Sequence, residues 1–458
     1  MKPVRIAAII TALRIREMHP DKPRILAITL SRAKTTTDMC RQHKSSRKGE
    51  RGVTIVIVAV GMISLLAMAV LAIDVVTLYV ASGQAQQTAD AAALAGAAAF
   101  SSSGFTSAPS IVPQSSVCNG STGDADMRAQ AIAAKFKIGG TAPTSVATSC
   151  NFNEVENPQI TVTVARTGLP TFFARIWGYS GNTVTATAKA EAFNPSFNAG
   201  SPPLPPIEVN GVKPWLVFNC QLPCAAPTFI ASNYSISNPA LIGQPVTLRL
   251  IDSGTDPTMV PPIPFYAIDP PAPVSCPSRS AVSCNQIGTG PPGIFYHDNI
   301  ACRGIAPFTC GQTIGPGRPI QVDTRSLGNL QARTDPGTEC LIHANGPGLG
   351  VGQDSFTPGL PVAIDGGFNN PNPLMRLATN ISRSDSVVTV PVFNCPAIGA
   401  CDGTAQLPIV GVLQLGIQSV ASGDISVVVL NVAGCDPNNP GLPISGAGVS
   451  PVPVRLIQ

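Results

Sequence analysis

The stretch that decides the fold runs from Val53 to Ile73 and reads VTIVIVAVGMISLLAMAVLAI. It carries no charge, and at a helical rise of 1.5 Å per residue it would extend about 31 Å, close to the thickness of a bilayer's hydrocarbon core. The run is longer than the apolar core of a typical cleavable signal peptide. The sequence therefore predicts a transmembrane helix. A buried helix of a soluble protein and a cleaved signal segment are the two alternatives.

Charge is distributed asymmetrically around this segment. Residues 1–51 hold 13 of the 29 Lys and Arg residues of the chain, whereas the thirty residues after Ile73 hold none. Positively charged flanks tend to stay in the cytoplasm. We therefore expect a cytoplasmic basic leader over 1–50, a single pass through the inner membrane, and a body (74–458) in the periplasm or outside the cell.

The composition of the body favours a turn-rich, disulfide-containing protein. The chain of 458 residues contains 42 Gly and 45 Pro, and only 12% of its residues are charged. Twelve of the 13 Cys follow the apolar segment, which indicates an oxidising compartment. The body has no basic stripe with interleaved aromatic residues, so we expect no nucleic-acid binding.

The helix is expected to continue beyond the membrane, because residues 74–100 lack Pro and are rich in Ala, Leu and Gln. At 100° per residue, Tyr79, Gln86 and Asp90 fall close to one line on this helix. An Ala-rich surface allows close approach of another helix. The surface would pack either on the protein's own body or on a helix of a partner.

The sequence after the helix predicts an α+β fold in several parts. A small α+β module over 101–193 contains two alternating stretches, 159–166 and 183–193, which read as strands. A Pro-rich linker over 194–206 precedes a β-rich domain over 207–458, such as a distorted sandwich. Its short apolar runs, separated by Pro/Gly turns, are 246–251, 387–393, 409–417 and 425–432.

Local spacing favours one set of disulfides among many connectivities. The spacing itself suggests Cys276–Cys284, Cys302–Cys310 and Cys395–Cys401, and the cysteines left over would then pair as Cys118–Cys150, Cys220–Cys224 and Cys340–Cys435.

Residues that could carry catalysis or bind a metal are scarce. The body has two histidines, His297 and His343, and no G-x-S-x-G motif. Cys220 and Cys224 have no matching pair with metal-ligand spacing. We therefore expect no catalytic residue, no cofactor and no metal, and we do not expect an enzyme.

The segment from Arg51 to Phe100 resembles the N-terminal module of TadG-like tight-adherence (TadE/G-like, Flp) pilus-assembly proteins. Its pattern is a Gly after basic residues, an apolar helix, an Asp, and then Q-x-x-x-D-A-A-A-L-A. The positions that match are Gly52, Asp74, Gln86 and Asp90–Leu94. Processed prepilins carry Glu at the fifth position after the Gly, where this chain has Ile57, so the resemblance implies an uncleaved anchor.

The resemblance implies a non-enzymatic envelope protein that assists assembly or anchoring of a Tad/Flp-type pilus or secretion apparatus. Its partners would be the lipid bilayer and other assembly proteins, contacted through a helix motif of Gly52, Asp74, Tyr79, Gln86 and Asp90. Some large members of the family carry a D-x-S-x-S metal motif, but the nearest match, Asp323–Ser326, has Arg325 at a coordinating position. The alternatives are a surface adhesin that binds ligands through the β-rich domain and, less favoured, a secreted hydrolase.

Overall fold

The computed structural model describes most of the chain after Arg51. The described residues are 50–153, 157–171, 181–194, 196, 206–220, 226–252, 263–269, 294–302, 308–344, 352–381, 383–395, 405–439, 441–445 and 452–457. The chain divides into two compact units, residues 1–64 and 65–458. Residues 1–49 of the predicted leader lie outside the described part.

A single long helix, α1, spans Glu50–Ser102. The prediction that one helix continues past the apolar segment is confirmed, and neither Gly83 nor Gly96 interrupts it. Two short helices follow, α2 (Gln114–Val117) and α3 (Asp124–Ala133).

The first sheet contains the two strands that strict alternation predicts. Three of its four strands are β1 (Ser145–Asn151), β2 (Gln159–Leu169) and β3 (Asn182–Ala192), which pair antiparallel in that order. The inward residues of β2, such as Ile160 and Val162, are fully buried. On the opposite face, the hydroxyls of Thr163 and Thr187 form a hydrogen bond. This inside–outside difference is why period-two alternation was a reliable signal here.

The rest of the chain adds fourteen strands and two α-helices within the described residues, besides a short 3-10 helix at Pro239–Leu241. In chain order these are β4 (Ile207–Val209), β5 (Trp215–Phe218), β6 (Pro245–Ile251), β7 (Ile263–Asp269), α4 (Ile294–Ala301), β8 (Phe308–Thr309), β9 (Thr313–Ile314), β10 (Gln321–Val322), α5 (Leu327–Leu341), β11 (Ser355–Thr357), β12 (Ala363–Asp365), β13 (Val387–Phe393), β14 (Leu407–Ala421), β15 (Asp424–Gly434), β16 (Ile444–Ser445) and β17 (Val454–Ile457).

Six of these strands close into a ring, in the order β7-β5-β13-β14-β15-β6 and back to β7. The expectation of a distorted sandwich was wrong in this respect. Two of the pairings, β5 with β13 and β6 with β7, are parallel. Parallel neighbours require long connections, and no local sequence pattern reveals which strands those connections bring together.

Helices α4 and α5 lie between two of the predicted strands, in a part of the chain that was expected to form Pro/Gly turns. Helix α5 contains Pro336 and Gly337, both poor helix formers. A Cβ on Gly337 would lie 3.2 Å from the His297 carbonyl and from Ile300 Cβ of α4, so glycine permits the close approach of the two helices. The carboxyl end of α4 is capped by buried Lys213, whose Nζ donates to the carbonyls of Ile300 at 2.6 Å and Cys302 at 2.7 Å.

Two disulfides fix distant parts of the body. Cys118–Cys150 is confirmed, but Cys310 bonds Cys435, so the predicted pairs Cys302–Cys310 and Cys340–Cys435 were wrong. The remaining described cysteines, which are Cys220, Cys302, Cys340 and Cys395, are also in disulfides. Cys224, Cys276, Cys284 and Cys401 lie outside the described residues.

The last described strand returns to the first sheet. Strand β17 pairs antiparallel with β3, from Val454 opposite Ala192 to Ile457 opposite Lys189. Arg455 Nε donates to Glu191 at 2.6 Å across this pairing. The predicted boundary between the module over 101–193 and the domain over 207–458 is therefore crossed by the chain, and that division remains a prediction.

A buried polar cluster joins the end of α1 to β15. Asn431 is fully buried, and its Nδ2 donates to the Ser101 carbonyl at 2.8 Å and to Thr106 Oγ1 at 2.8 Å. Asn194, the first residue of the predicted linker, donates to the carbonyls of Thr106 at 2.8 Å and Val432 at 2.9 Å. Residues 197–205 of that linker lie outside the described part.

Candidate assembly surface on helix α1

The lower part of α1 is apolar and uncovered. From Val53 to Ile73 its large apolar side chains, except the half-buried Val70, are more than half exposed, and none of its most hydropathic window is buried by the protein. By length and composition α1 can cross a membrane, and it is the one such helix in the described part of the chain. Exposed apolar surface of this extent in water would be strongly unfavourable, which supports a lipid environment. Gly52 lies at the start of this segment, with no other atom near its Cβ position.

Asp74 does not face open solvent, although it ends the uncharged run. Its exposed fraction is 6%, while its neighbours Ile73 and Val75 are more than half exposed. Asp74 also takes part in an interaction with another group of the protein. Asp74 therefore marks the level at which one side of α1 becomes covered by the body.

The Ala-rich face of α1 packs on the protein's own body. Ala85, Ala89 and Ala92 are fully buried. A Cβ added to Gly96 would lie 2.6 Å from Ile160 Cδ1 and 3.4 Å from Ala129 Cβ, so the helix approaches β2 and α3 closely. Of the two interpretations of this face, the structure shows packing within the chain.

The predicted polar line is only partly a free surface. Tyr79 is 81% exposed, Gln86 is exposed and Asp90 is half-buried. Gln86 Nε2 donates to Asp90 Oδ1 at 2.7 Å and reaches the Thr187 carbonyl of β3 at 3.5 Å. Gln86 and Asp90 thus form one polar group beside the edge of the first sheet, whereas Tyr79 stands apart from it.

A contact that the sequence did not reveal is made by Gln84. Its side-chain Oε1 accepts a hydrogen bond from the Gly139 amide at 2.9 Å, which ties the middle of α1 to the turn after α3. Gly139 has a positive φ of 60°, a conformation that glycine adopts readily. A Gly-Gly pair such as Gly139–Gly140 indicates a turn, but the partner of Gly139 on α1 lies 55 residues away in the sequence.

Other groups with reactive side chains are engaged inside the body. The carboxylate of Asp323, the first residue of the metal-like motif, accepts from Arg325 Nε at 2.7 Å, which places a cation where a metal would bind. Burial lowers the pKa of the Arg325 guanidinium. His297 and His343 are both buried and face carboxylates, Asp298 at 3.0 Å and Asp385 at 3.2 Å.

Neither a metal site nor a large ligand pocket emerges from the clusters of the described residues. Cys118, Asp126 and Cys150 lie close together, but the two sulfurs form a disulfide and cannot act as thiolate ligands. Asp126 accepts from Thr148 Oγ1 at 2.6 Å and from the Asn119 amide at 2.7 Å. A groove of about 100 Å³ beside α3 and β12 is smaller than typical small-molecule sites of roughly 300–1,000 Å³.

Comparison with known protein families gives a match on helix α1, the helix with the uncovered apolar surface. Residues 52–99 match the model of the Tad family, described as Flp pilus-assembly TadE/G-like. No curated protein and no solved structure matches the chain. The matched segment is almost coextensive with α1 and holds both its lipid-compatible half and its packed half.

Proposed function

We propose that this chain is a non-enzymatic, membrane-anchored envelope protein that assists the assembly or anchoring of a Flp-type pilus or a related secretion apparatus. The observation that carries the proposal is the Tad family match over residues 52–99, which falls on helix α1, whose lower part is uncovered and whose upper part packs on the body. The family is one of pilus assembly, and the described residues give no sign of a catalytic activity.

The proposed location is the inner membrane, with the leader in the cytoplasm and residues 74–458 exported. The excess of Lys and Arg before Val53 supports this orientation. The disulfides Cys118–Cys150 and Cys310–Cys435 support an oxidising compartment for the body.

The proposed partner contact is the Gln86–Asp90 pair on the exposed side of α1. A carboxylate and an amide that already share a hydrogen bond have further acceptor and donor capacity. The neighbouring residues Gly83 and Gln87 are exposed, which would leave room for a helix or loop of another assembly protein. The packed Ala-rich face would meanwhile keep this pair at a fixed position on the body.

The test is the recovery of assembly proteins with the full-length chain from solubilised membranes. Asp90→Leu should lower recovery of pilus-assembly proteins and reduce piliation, because it removes the carboxylate and the acceptor of Gln86. Asn233→Leu is the control, since Asn233 is an exposed polar residue in a turn outside α1.

Unchanged recovery and piliation with Asp90→Leu would contradict the proposed contact. Failure of a deletion of the whole gene to affect piliation would contradict the proposed function itself. Truncation after residue 206 would be uninformative, because it removes β17 from the first sheet and Asn431 from the end of α1.

A further inference from the structure

The uncovered apolar surface of α1 does not end at Asp74. Four side chains beyond it remain at least half exposed, namely Val75 at 57%, Val76 at 59%, Tyr79 at 81% and Val80 at 50%. On a helix these residues cover an arc of about 140°. A broad, uncharged surface therefore continues along α1 from the apolar segment to Val80.

The opposite side of the same turns is covered by protein. Asp74 is 6% exposed and Ala81 is 2% exposed, and both lie on the side of the helix away from Val76 and Val80. The one charge in this part of the helix is thus screened by the body. What the uncovered side presents between residues 74 and 80 is apolar except for the Tyr79 hydroxyl and Thr77.

The character of the exposed side changes abruptly after Val80. The next exposed residues are Ser82, Gly83, Gln86 and Gln87, which are small or polar. A change from valine and tyrosine to serine, glycine and glutamine is the pattern of a helix that leaves the membrane interface.

The length of the apolar surface agrees with this boundary. From Val53 to Val80 the helix rises about 41 Å. That exceeds a hydrocarbon core of roughly 30 Å but matches the roughly 40–45 Å of a bilayer with its interfacial regions. Tyrosine is enriched in that interface because its ring is apolar and its hydroxyl is polar.

We propose that the surface formed by Val75, Val76, Tyr79 and Val80 contacts the lipids of the outer leaflet, so that the body rests on the membrane surface and Tyr79 lies among the headgroups. This inference rests on the proposed membrane anchoring and extends the lipid contact past Asp74. A bilayer suits the surface better than a second helix does, because helix–helix contacts in membranes favour small residues and the exposed residues here are β-branched or aromatic.

The experiment uses the full-length protein in phospholipid vesicles, with the photoreactive residue p-benzoylphenylalanine introduced at one position at a time. Tyr79 and Val76 are the test positions, Leu65 within the apolar segment is the positive control, and Gln87 is the negative control. After irradiation, mass spectrometry measures the fraction of protein that carries a phospholipid adduct. We expect adducts at Leu65, Val76 and Tyr79, and at least a tenfold smaller fraction at Gln87.

Each other outcome overturns a defined part of the reasoning. Adducts at Leu65 without adducts at Tyr79 and Val76 would overturn the extended contact and leave the anchor intact. Crosslinks from Tyr79 to a second protein chain in place of lipid would show that a partner covers the surface. Absence of lipid adducts at Leu65 would overturn the membrane anchor and this inference with it, and equal adducts at Gln87 would refute the boundary at Val80.

Discussion

Replacement of Asn431 by Ala should destabilise the body more than any exposed polar substitution. The two N–H groups of Asn431 Nδ2 share three acceptors, the Ser101 carbonyl, Ser101 Oγ and Thr106 Oγ1, while Asn431 Oδ1 accepts from Ser107 Oγ. A buried hydrogen bond contributes about 1 kcal/mol to stability. We therefore expect Asn431→Ala to lower the free energy of unfolding by about 3–4 kcal/mol.

Urea unfolding of the detergent-solubilised protein with its disulfides intact measures this change. Trp215 is fully buried, so its fluorescence reports the loss of the core. Asn233→Ala is the matched control, because Asn233 is exposed and its Oδ1 accepts from Ser235 Oγ at 2.6 Å. The control should cost less than about 0.5 kcal/mol, as surface substitutions usually do.

Asn431→Asp separates lost hydrogen bonds from lost packing. It keeps the size of the side chain but replaces the Nδ2 donor by an acceptor that would face the Ser101 carbonyl. We expect it to be at least as destabilising as Asn431→Ala. If Asn431→Asp unfolds like the unmodified protein, or if Asn431→Ala costs no more than Asn233→Ala, the polar cluster does not hold α1 to β15.

Two further predictions concern the membrane anchor. A phosphatase that is active only after export should be active when fused after Ser110 and silent when fused before Arg47, because the basic leader precedes Val53; the reverse pattern would contradict the orientation. The mature protein should keep its leader in cells that contain a prepilin peptidase, since Ile57 replaces the Glu of processed prepilins. A mature N-terminus at Val53, found by mass spectrometry, would instead assign the protein to the processed class.

The parts of the fold that sequence predicts are those encoded by local patterns. The uncharged run of α1, the alternation in β2 and β3, and the β-branched run of β13 each carry their periodicity within a few neighbouring residues. The burial of Asp74 could not be predicted in this way, because no local pattern encodes it. It depends on protein that covers one side of the helix while the other side stays exposed. An acidic residue at the end of an apolar run was therefore a poor marker of the end of the uncovered surface.

Long-range contacts explain most of what could not be predicted. Cys310 and Cys435 are joined across 125 residues, and no spacing rule selects that pair from the alternatives. Helix α5 forms despite Pro336 because its close fit against α4, through Gly337, outweighs its poor intrinsic propensity. The polar line on α1 remains a prediction as an assembly motif, and sequence alone could not show that Gln86 bonds Asp90 while Tyr79 stands apart.

The return of β17 to β3 imposes an order of events on biogenesis. Strand β3 leaves the ribosome roughly 260 residues before its neighbour β17 does. During that interval the edge of β3 from Lys189 to Ala192 has no β17 to cover it, and an uncovered edge can pair with another nascent chain. The first sheet is therefore completed only after translation has passed the residues from Val454 to Ile457.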